Sequence, residues 1–451
     1  MSSPPSSASD ADEPSTDLLD VGFVPAECPG AEGTGATRTS SLLIRNLADR
    51  VDLTVYVASQ MTAEPAALPA RDRVEYVLHD DLPKLPHPTL AKIDALEAET
   101  DAMEDHDLVH AYASAFVPLL ADLSVPTLST LNSYLPVCPK GDMLYHDGTK
   151  CDGPSAGKCV ACIARADVDR ERGLVDSLRA AYSSYGKLGF VRESLDRADD
   201  LTAYHAISPH VRDDYDDLGF PGDRITVVPH FYEEAFYTPH DYRRLDDGDP
   251  LVGDPSLVGG EITLLYAGAL KESKGAEVLV RALPRLQARG YDVRLRVAGS
   301  GSYLEQLQAV AREHDVDDAI DWLGYVDHAD LLREYLGADV FVYPGLLDEP
   351  FGRVLLEALE TRTPVLCSDV GSMDYIVGDG GVLFDPGNEA ALADGFERLV
   401  DDYRRHYDAI PDHVEQFAPG TVVESFLDLY ESVAARDDDA GRPEIDAGPI
   451  A

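Results

Sequence analysis

The segment Glu349-Pro-Phe-Gly-Arg-Val-Leu-Leu-Glu357 places two carboxylates around the start of a predicted helix, shortly after an apolar strand at residues 340–343. A helix N-terminus offers unpaired N–H groups and the positive end of the helix dipole, which suit a phosphate. Gly352 would let a ligand approach the backbone closely. Because carboxylates accept hydrogen bonds from hydroxyl groups, the arrangement suits a sugar nucleotide. The alternative is a surface helix with two ordinary glutamates in an acidic chain.

A second loop carries two of the eight lysines of the chain. Lys271 and Lys274 lie in Gly268-Ala-Leu-Lys-Glu-Ser-Lys-Gly275, which follows a predicted strand at residues 263–267. A lysine in a glycine-bounded loop between strand and helix is well placed to neutralise a diphosphate. The alternative is a pair of solvated turn lysines, although the scarcity of lysine elsewhere makes their clustering harder to dismiss.

A third glycine-rich turn, Gly299-Ser-Gly-Ser302, follows a predicted strand at residues 293–298. On its own it is weak, because such turns are common in α/β proteins. It does not match the G-x-G-x-x-G pattern of dinucleotide oxidoreductases, and the sequence contains no G-x-x-x-x-G-K-[ST] loop. The sequence therefore argues against both an oxidoreductase of that type and a P-loop NTPase.

Four of the six cysteines, Cys138, Cys151, Cys159 and Cys162, lie close together in the sequence. One C-x-x-C pair and two further thiols could hold a structural zinc ion with four thiolate ligands. The second C-x-x-C of a common zinc ribbon is missing. The alternatives are disulfides, which a reducing cytoplasm disfavours, and reduced structural thiols.

The charge balance excludes some partners. The 451 residues include 83 Asp and Glu against 37 Lys and Arg, which gives a formal net charge of -46. Nucleic acid is not expected as a partner, because phosphate binding needs a basic surface. An anionic membrane is disfavoured except at a local basic patch. Excess carboxylate with little lysine is typical of a salt-loaded cytoplasm, so the composition predicts a halophilic, haloarchaeal protein.

Two halves of the chain each alternate apolar strands with amphipathic helices, which predicts an α/β fold with two parallel sheets. We expect a first domain at residues 18–205, with a cysteine-bearing insert at 134–164, and a second domain at 206–414. A helix at about residues 415–436 could pack back on the first domain. The strands predicted in the second half lie at residues 225–228, 263–267, 293–298, 320–323, 340–343, 364–367 and 381–384.

The composition of the two terminal segments bears on the cellular compartment of the protein. Residues 1–17 are rich in Ser, Pro and Asp and lack the basic and apolar regions of a secretory signal, so we expect a disordered tail. Residues 437–451 predict a second one. No apolar run approaches the roughly 20 residues of a membrane-spanning helix. We therefore expect a cytoplasmic protein without a transmembrane segment.

In this order and on these elements, the three loops resemble the C-terminal nucleotide-binding domain of family 4 retaining glycosyltransferases of GT-B architecture. The similarity extends through Leu366-Cys-Ser-Asp-Val-Gly-Ser372 and Gly380-Gly-Val-Leu-Phe-Asp-Pro-Gly387 and covers about residues 199–402. The resemblance implies two Rossmann-like domains facing across a cleft. It also implies transfer of a hexosyl group from a nucleoside-diphosphate sugar to a hydroxyl acceptor, with retention and with no catalytic cofactor.

The resemblance further implies roles for single residues. Glu349 would meet the donor sugar, Glu357 would hold the nucleotide ribose, and Lys274 would contact the diphosphate. Many members carry arginine where Ala269 stands, and Lys271 could replace that charge. The other donor-side positions are Gly268, Gly299, Phe351, Gly352, Arg353, Tyr325 and Val326, of which the last two would border the base.

On the acceptor side, Gly33 and Gly35 match the family's glycine-bearing loop before its first helix. Arg38, Arg45 and Arg50 give the predicted helix at residues 37–50 a positive face. The resemblance implies that this face contacts a lipid-phosphate acceptor. The alternative is an ordinary helix surface.

Asn132 stands where many members of the family carry a histidine of the catalytic region. Asparagine can hydrogen-bond a sugar hydroxyl but cannot titrate, which removes an acid–base role there. With Ala269, it motivates a non-catalytic nucleotide-sugar-binding subunit as one alternative; a phosphorylase or disaccharide synthase of the same fold is another. The expected acceptor is a glycan or lipid-linked intermediate of glycan biosynthesis, met through peripheral contact with the inner face of the membrane.

Overall fold

Two parallel β-sheets, each flanked by helices, form the framework of the protein, as the predicted α/β architecture requires. The computed structural model describes residues 18–31, 35–59, 67–80, 82, 88–146, 149–168, 174–232 and 260–438. The predicted tail at residues 1–17, and the one at 437–451 beyond residue 438, lie outside the described residues.

The first sheet has seven strands, all paired in parallel. They are β1 Asp20–Pro25, β2 Asp52–Ala58, β3 Glu75–His79, β4 Leu108–Tyr112, β5 Thr127–Leu131, β6 Ala203–Ala206 and β7 Ile225–Val227. The helices of this half are α1 Gly35–Leu47, α2 Pro88–Leu96, α3 Thr100–Met103, α4 Val117–Ala121, α5 Ala156–Val168, α6 Leu174–Asp196 and α7 Pro209–Asp217. The strand order is β3-β2-β1-β4-β5-β6-β7.

The second sheet has six parallel strands. They are β8 Glu261–Ala267, β9 Asp292–Ala298, β10 Ile320–Gly324, β11 Val340–Tyr343, β12 Val365–Ser368 and β13 Gly381–Phe384. Its helices are α8 Ala276–Ala288, α9 Leu304–Glu313, α10 His328–Gly337, α11 Arg353–Glu360, α12 Met373–Val377, α13 Glu389–Asp401 and α14 Tyr403–Val414. The order is β10-β9-β8-β11-β12-β13.

Burial explains why these segments form inner strands. Every residue of β4, β5, β6, β11 and β12 is buried. Parallel strands that are covered by helices on both faces are expected to be apolar along their whole length. Helix α8 shows the matching pattern, since it buries Leu279, Leu283 and Leu286 at intervals of three and four residues.

Strand β7 corrects the predicted domain boundary. Residues 225–228 were expected in the second domain, yet β7 pairs in parallel with β6 at the edge of the first sheet. Helix α7, which joins these two strands, belongs with them. The error has a physical reason: a short strand of three residues carries no periodic signal that distinguishes one parallel sheet from another.

The last helix, α15 (Pro419–Ala434), lies against the first sheet rather than the second. Val422, Phe426 and Tyr430 are almost fully buried in one core cluster with Phe23 of β1 and Leu43 of α1. Arg50, which was expected on a positive face of the first helix, instead bonds to Glu424 of α15 with an Nη1–Oε1 distance of 2.8 Å.

A buried polar network ties α15 to the sheet. The His110 Nδ1 lies 2.7 Å from the Tyr430 hydroxyl, and its Nε2 lies 2.8 Å from the Thr130 hydroxyl. That hydroxyl also lies 2.9 Å from Nδ1 of His205, whose Nε2 lies 2.7 Å from the Val228 carbonyl oxygen. Each ring nitrogen of His110 and His205 therefore has a partner, which keeps the cost of burying these two side chains low.

Within the part of the chain that the structure describes, no helix is both long and apolar enough to cross a bilayer.

We expect Phe426→Ala to destabilise the first half of the molecule by about 3–5 kcal/mol, because it empties a buried site against the His205 ring, 4.8 Å away between centroids. Urea unfolding followed by far-UV circular dichroism would show the shift. Fluorescence of Trp322, the single tryptophan, reports on the second sheet and should move less. The neighbouring Ser425→Ala should stay within about 0.5 kcal/mol of wild type; equal shifts for the two variants would contradict the role given to α15.

The network also predicts acid sensitivity. Burial lowers the pKa of His205 from 6.5 to about 4. An unfolded chain would bind a proton near pH 6.5 and the folded chain only near pH 4, so stability is full above pH 6.5 and falls as the pH drops toward 4. Thermal unfolding between pH 7 and pH 4 should show a shallower loss for His205→Gln than for wild type. Identical slopes would show that this histidine does not titrate on unfolding.

Candidate functional site

The crevice between β8 and β11 positions the candidate site. In the second sheet the strand order reverses between these two strands, so the chain leaves them toward opposite faces of the sheet. Ligands of open parallel sheets bind at such a reversal, beyond the carboxyl ends of the strands. The loop at residues 268–275 follows β8, and the loop at 344–352 follows β11. Both carry the residues that the sequence singled out.

The two loops touch each other closely. The Leu346 N–H donates a hydrogen bond of 3.0 Å to the Ser273 carbonyl oxygen. Gly275 has a φ of 67°, and a Cβ at this position would collide with the carbonyl oxygen of Pro344. Glycine is therefore required here for both its conformation and its size. Gly275 was visible in the sequence only as the end of the lysine-bearing loop.

An ion pair joins the loops across the crevice. The Lys274 Nζ lies 2.5 Å from Oε2 of Glu349, and the Tyr343 hydroxyl donates to the same oxygen at 2.9 Å. Burial, and then the charge of Glu349, raise the pKa of Tyr343, so its hydroxyl keeps its proton. Tyr343 ends β11 and was missed by sequence analysis, because it reads there as a buried strand residue.

The pair opens onto a cleft of about 390 Å³ between the two halves. Asn132, at the end of β5, lines it from the first half, and the N-terminus of α11 lines it from the second. The cleft thus brings together seven residues singled out in the sequence: Asn132, Gly268, Lys274, Glu349, Phe351, Gly352 and Arg353. Ala269 also lines it, so no side-chain charge stands at that position.

The start of α11 faces this cleft without a side-chain cap. The first N–H groups of the helix can therefore serve a ligand. Gly352 has an ordinary φ of -89°, and a Cβ there would lie 2.8 Å from Leu355 Cδ1, the end of a side chain that can shift. The Arg353 guanidinium donates to the Thr39 hydroxyl of α1 at 2.8 Å, which joins the two halves.

His230, in the segment after β7, is a cleft residue that the sequence analysis missed. The Tyr112 hydroxyl lies 3.1 Å from its Nδ1, and its ring meets that of Phe351 edge-on at 4.8 Å. Burial, and then the charge of Arg353, lower the pKa of His230 well below its usual value. A neutral imidazole therefore stands in the cleft, and nothing in the local sequence indicated its burial.

Other predicted donor residues lie around this cleft rather than on its wall. Glu357 accepts a hydrogen bond of 3.1 Å from the Tyr335 hydroxyl, one helical turn beyond Arg353. Gly299 packs against the Gly268 carbonyl, where a Cβ would collide. Tyr325, 76% exposed, and the half-buried Val326 follow β10. Lys271 is exposed and does not line the cleft, so its compensation for the charge missing at Ala269 stays a prediction.

The acceptor-side residues are described only in part. Gly33 lies outside the described residues, and Gly35 is the first residue of α1. Arg38 is half-buried on that helix. Because Arg50 lies beyond the end of α1 and pairs with Glu424, the predicted positive face loses one of its three arginines.

The four cysteines Cys138, Cys151, Cys159 and Cys162 line one small cavity of about 20 Å³. Cys151 Sγ contacts the Gly153 carbonyl oxygen at 3.5 Å, and Cys162 Sγ contacts that of Leu144 at 3.8 Å. Burial raises the pKa of the Cys159 and Cys162 thiols. Among the described residues, no group of three or more His, Cys, Asp or Glu has a metal-binding arrangement. The residues do not fit the expected structural zinc.

Part of the chain is similar to a known family of proteins. Residues 253–412 match the family model described as glycosyl transferases group 1. This region contains the second sheet and both loops of the crevice. The match covers the half of the chain where the sequence resemblance was strongest.

Particular relatives agree with that class. The chain is 32% identical over 177 residues to an uncharacterized glycosyltransferase, MJ1607, of Methanocaldococcus jannaschii, covering 38% of this chain and 45% of that protein. It is 30% identical over 219 residues to D-inositol 3-phosphate glycosyltransferase of Corynebacterium aurimucosum, covering 46% and 51%. The chain thus spans about half the length of the curated relatives it matches.

A solved structure, Anabaena Alr3699/HepE in complex with UDP, superposes with a TM-score of 0.61 at 17% identity, covering 92% of this chain and 100% of that one. At this identity the match concerns the fold, and it shows the two-domain GT-B architecture.

We expect Gly275→Ala to lower the melting temperature more than Gly290→Ala does. Both glycines have positive φ, 67° and 95°, so each substitution carries backbone strain of about 1–3 kcal/mol. A Cβ at Gly275 also strikes the Pro344 carbonyl, whereas a Cβ at Gly290 meets nothing within 4 Å. Calorimetry would compare the two, and an equal loss would show that the two crevice loops are not locked together at Gly275.

Proposed function

We propose that this protein is a retaining glycosyltransferase that moves a hexosyl group from a nucleoside-diphosphate sugar to a hydroxyl acceptor. The observation that carries the proposal is the Lys274–Glu349 pair, which stands at the strand-order reversal beside the uncapped start of α11. A cation, a carboxylate and free N–H groups then face one cleft. The match of residues 253–412 to the glycosyltransferase family model supports the same reaction.

The chemical difficulty of such a transfer is the negative charge that develops on the departing diphosphate. Lys274 and Arg353 are the two cationic side chains among the described residues that line the cleft, because His230 stays neutral. In our proposal they and the first N–H groups of α11 bind the diphosphate. Groups that are already oriented toward the developing charge stabilise the transition state without reorganising.

Glu349 would orient the sugar. Before the donor binds, its carboxylate is held by Lys274 and Tyr343. Arrival of a diphosphate draws Lys274 toward the phosphates, which frees one oxygen of Glu349 to accept a hydrogen bond from a sugar hydroxyl. Tyr343 would keep the carboxylate in place during this exchange. His230 and Asn132, on the opposite wall, can offer neutral hydrogen-bonding groups to the same sugar.

The nucleoside would extend along α11, away from the sugar. Glu357 lies one turn beyond Arg353, about 6 Å along the helix axis, so its carboxylate can meet a ribose hydroxyl. Tyr325 and Val326 would border the base. UDP is the nucleotide of the superposed Anabaena structure, which makes a UDP-sugar the first donor to test.

The acceptor is proposed to be a glycan or a lipid-linked intermediate of glycan biosynthesis. Arg38 and Arg45 on α1 give a local positive charge in an otherwise acidic chain, which suits peripheral contact with a phosphate-bearing lipid at the inner face of the membrane. We also propose that the protein works in high salt, because the net charge of -46 needs screening.

The test is nucleoside-diphosphate release from a panel of UDP-, GDP- and ADP-sugars in high-salt buffer, with and without extracted cellular lipids. We expect one donor to turn over in a lipid-dependent way. Lys274→Met should lower kcat by about 10²–10³, since it removes a group that stabilises the leaving charge. Glu349→Gln should abolish most of the turnover. Glu272→Gln, an exposed glutamate of the same loop, is the matched control and should act as wild type.

The other outcomes are equally informative. Binding of a sugar nucleotide without release under any acceptor would favour the non-catalytic subunit. Release that depends on phosphate or on a small sugar would favour the phosphorylase or disaccharide synthase. Proton NMR of the product gives the anomeric configuration, and an inverted product would overturn the retaining assignment. If the protein neither binds a sugar nucleotide nor releases a nucleoside diphosphate from it, the proposed donor site is wrong.

A further inference from the structure

The cysteine-bearing insert places the side chain of Lys150 next to the candidate site. Residues 143–146 and 149–151 form a short antiparallel hairpin, held by hydrogen bonds of 2.7 Å from the Tyr145 N–H to the Thr149 carbonyl and from the Cys151 N–H to the Met143 carbonyl. The contact of Cys162 Sγ with the Leu144 carbonyl fixes this hairpin to α5. Lys150 immediately precedes Cys151, so the cysteine cavity sets where its side chain begins.

Lys150 bridges the two halves of the molecule. Its Nζ lies 2.8 Å from Oδ1 of Asp214 on α7 and 2.9 Å from Oδ2 of Asp348 in the loop after β11. Burial disfavours its charge, but the bonds to the two carboxylates outweigh this and its pKa is raised. Because its two carboxylate partners lie on different domains, Lys150 connects the domains. A single ion pair on the surface usually contributes little to stability.

Each of the two carboxylates also accepts a hydrogen bond from a second group. The Tyr134 hydroxyl donates to Asp214 at 2.5 Å, and the Gly371 N–H donates to Asp348 at 3.1 Å. His210 Nε2 stands 3.3 Å from Asp214 and 3.7 Å from Asp348. The bridge therefore joins two rigid anchors.

Asp348 is the neighbour of Glu349 in the chain, so a force on its side chain acts on the backbone of Glu349. The backbone of Glu349 is also held directly, since the Ser372 N–H donates a hydrogen bond of 3.2 Å to its carbonyl oxygen. Between the hairpin and this loop lies a second compartment of about 200 Å³, lined by Met143, Lys150 and Asp214. It shares Lys274 and Glu349 with the main cleft.

We propose that Lys150 is a positioning residue. It joins the insert to both domains by pairing with Asp214 and Asp348, an arrangement that we call the clasp. Through Asp348 it holds Glu349 in place against Lys274. The insert then has a role in the reaction that does not need a metal. Its cysteines and hairpin place one cation at the junction of the two domains. The effect on transfer rests on the proposed function, whereas the clasp itself can be measured without any substrate.

The first measurement is amide hydrogen exchange on the substrate-free chain, read by mass spectrometry. Lys150→Met keeps an unbranched side chain, shorter by one atom, and removes its charge. We expect faster exchange in residues 209–217 and 348–352, because Asp214 and Asp348 lose the ammonium group that joins them and keep only His210 between them. The control is Lys158→Met: this lysine belongs to the same insert, but it pairs with Asp152 and contacts the Gly153 carbonyl at 3.2 Å, within the insert.

The second measurement is steady-state transfer with the donor found in the panel. Lys150→Met should lower kcat by between about tenfold and a hundredfold, as displacement of a positioned group does, and change the KM for the donor by less than about threefold. Lys150→Arg should recover most of kcat. The double variant Lys150→Met, Asp348→Asn should be no slower than the slower single variant, because both remove one interaction.

Several results would overturn the clasp: unchanged exchange at residues 209–217 and 348–352, additive losses in the double variant, or equal losses for Lys158→Met. If Lys150→Met does not fold, Asp348→Asn removes the same contact from the other side and is judged by the same exchange pattern. Faster exchange in a chain that turns over no donor would support the clasp and count against the proposed function. If Lys150→Met exchanges like wild type, and the protein transfers sugar at the full rate, the clasp is wrong and the proposed function is supported.

Discussion

The handedness of connections between parallel strands is the constraint on which the whole site depends. A crossover from one parallel strand to the next is right-handed, so a sheet that grows outward from its centre in two directions must send successive helices to opposite faces. Both sheets do this, between β1 and β4 in one and between β8 and β11 in the other. Each reversal leaves an opening beyond the carboxyl ends of two neighbouring strands. The contact between Arg353 and Thr39 joins helices that start beside these two openings, so the openings face each other.

The local part of this arrangement could be predicted from the sequence. Glu349, Lys274 and the start of α11 sit on segments whose strand, loop and helix are each recognisable within about ten residues, and the fold follows from their alternation. Asn132 was placed in the cleft only through the resemblance, since its local sequence carries no such pattern. Gly275 was part of the loop that the sequence singled out. The requirement for glycine there could not be predicted, because a Cβ would collide with Pro344 in a loop nearly 70 residues away.

What could not be predicted depends on long-range pairing. The bond between Arg50 and Glu424 and the contact of His230 with Tyr112 each join segments far apart in the chain, and the place of β7 depends on its pairing with β6 across the whole of α7. No periodicity encodes such contacts. The four cysteines show the converse: their spacing indicated a common site, and they do share a cavity, but spacing says nothing of whether thiols turn toward a metal or toward carbonyl oxygens.

The few lysines show how a strongly acidic chain uses its cations. Lys274 pairs with Glu349, Lys150 with Asp214 and Asp348, and the buried Lys92 with Glu27 at 2.6 Å. Each joins elements that are distant in the sequence. In a chain of net charge -46, a carboxylate is available almost everywhere, so the position of the lysine decides which contact forms. These three lysines therefore mark long-range contacts, whereas Lys158 pairs locally with Asp152.

The return of α15 to the first sheet has a consequence for the order in which the molecule is made. A domain emerging from the ribosome usually folds while the rest of the chain is still being synthesised. Here the core around Phe23 and Leu43 is completed by Phe426 and Tyr430, which are translated only after the entire second sheet. The first domain to be made is therefore the last to be finished, and it must wait with an open apolar face while its neighbour folds.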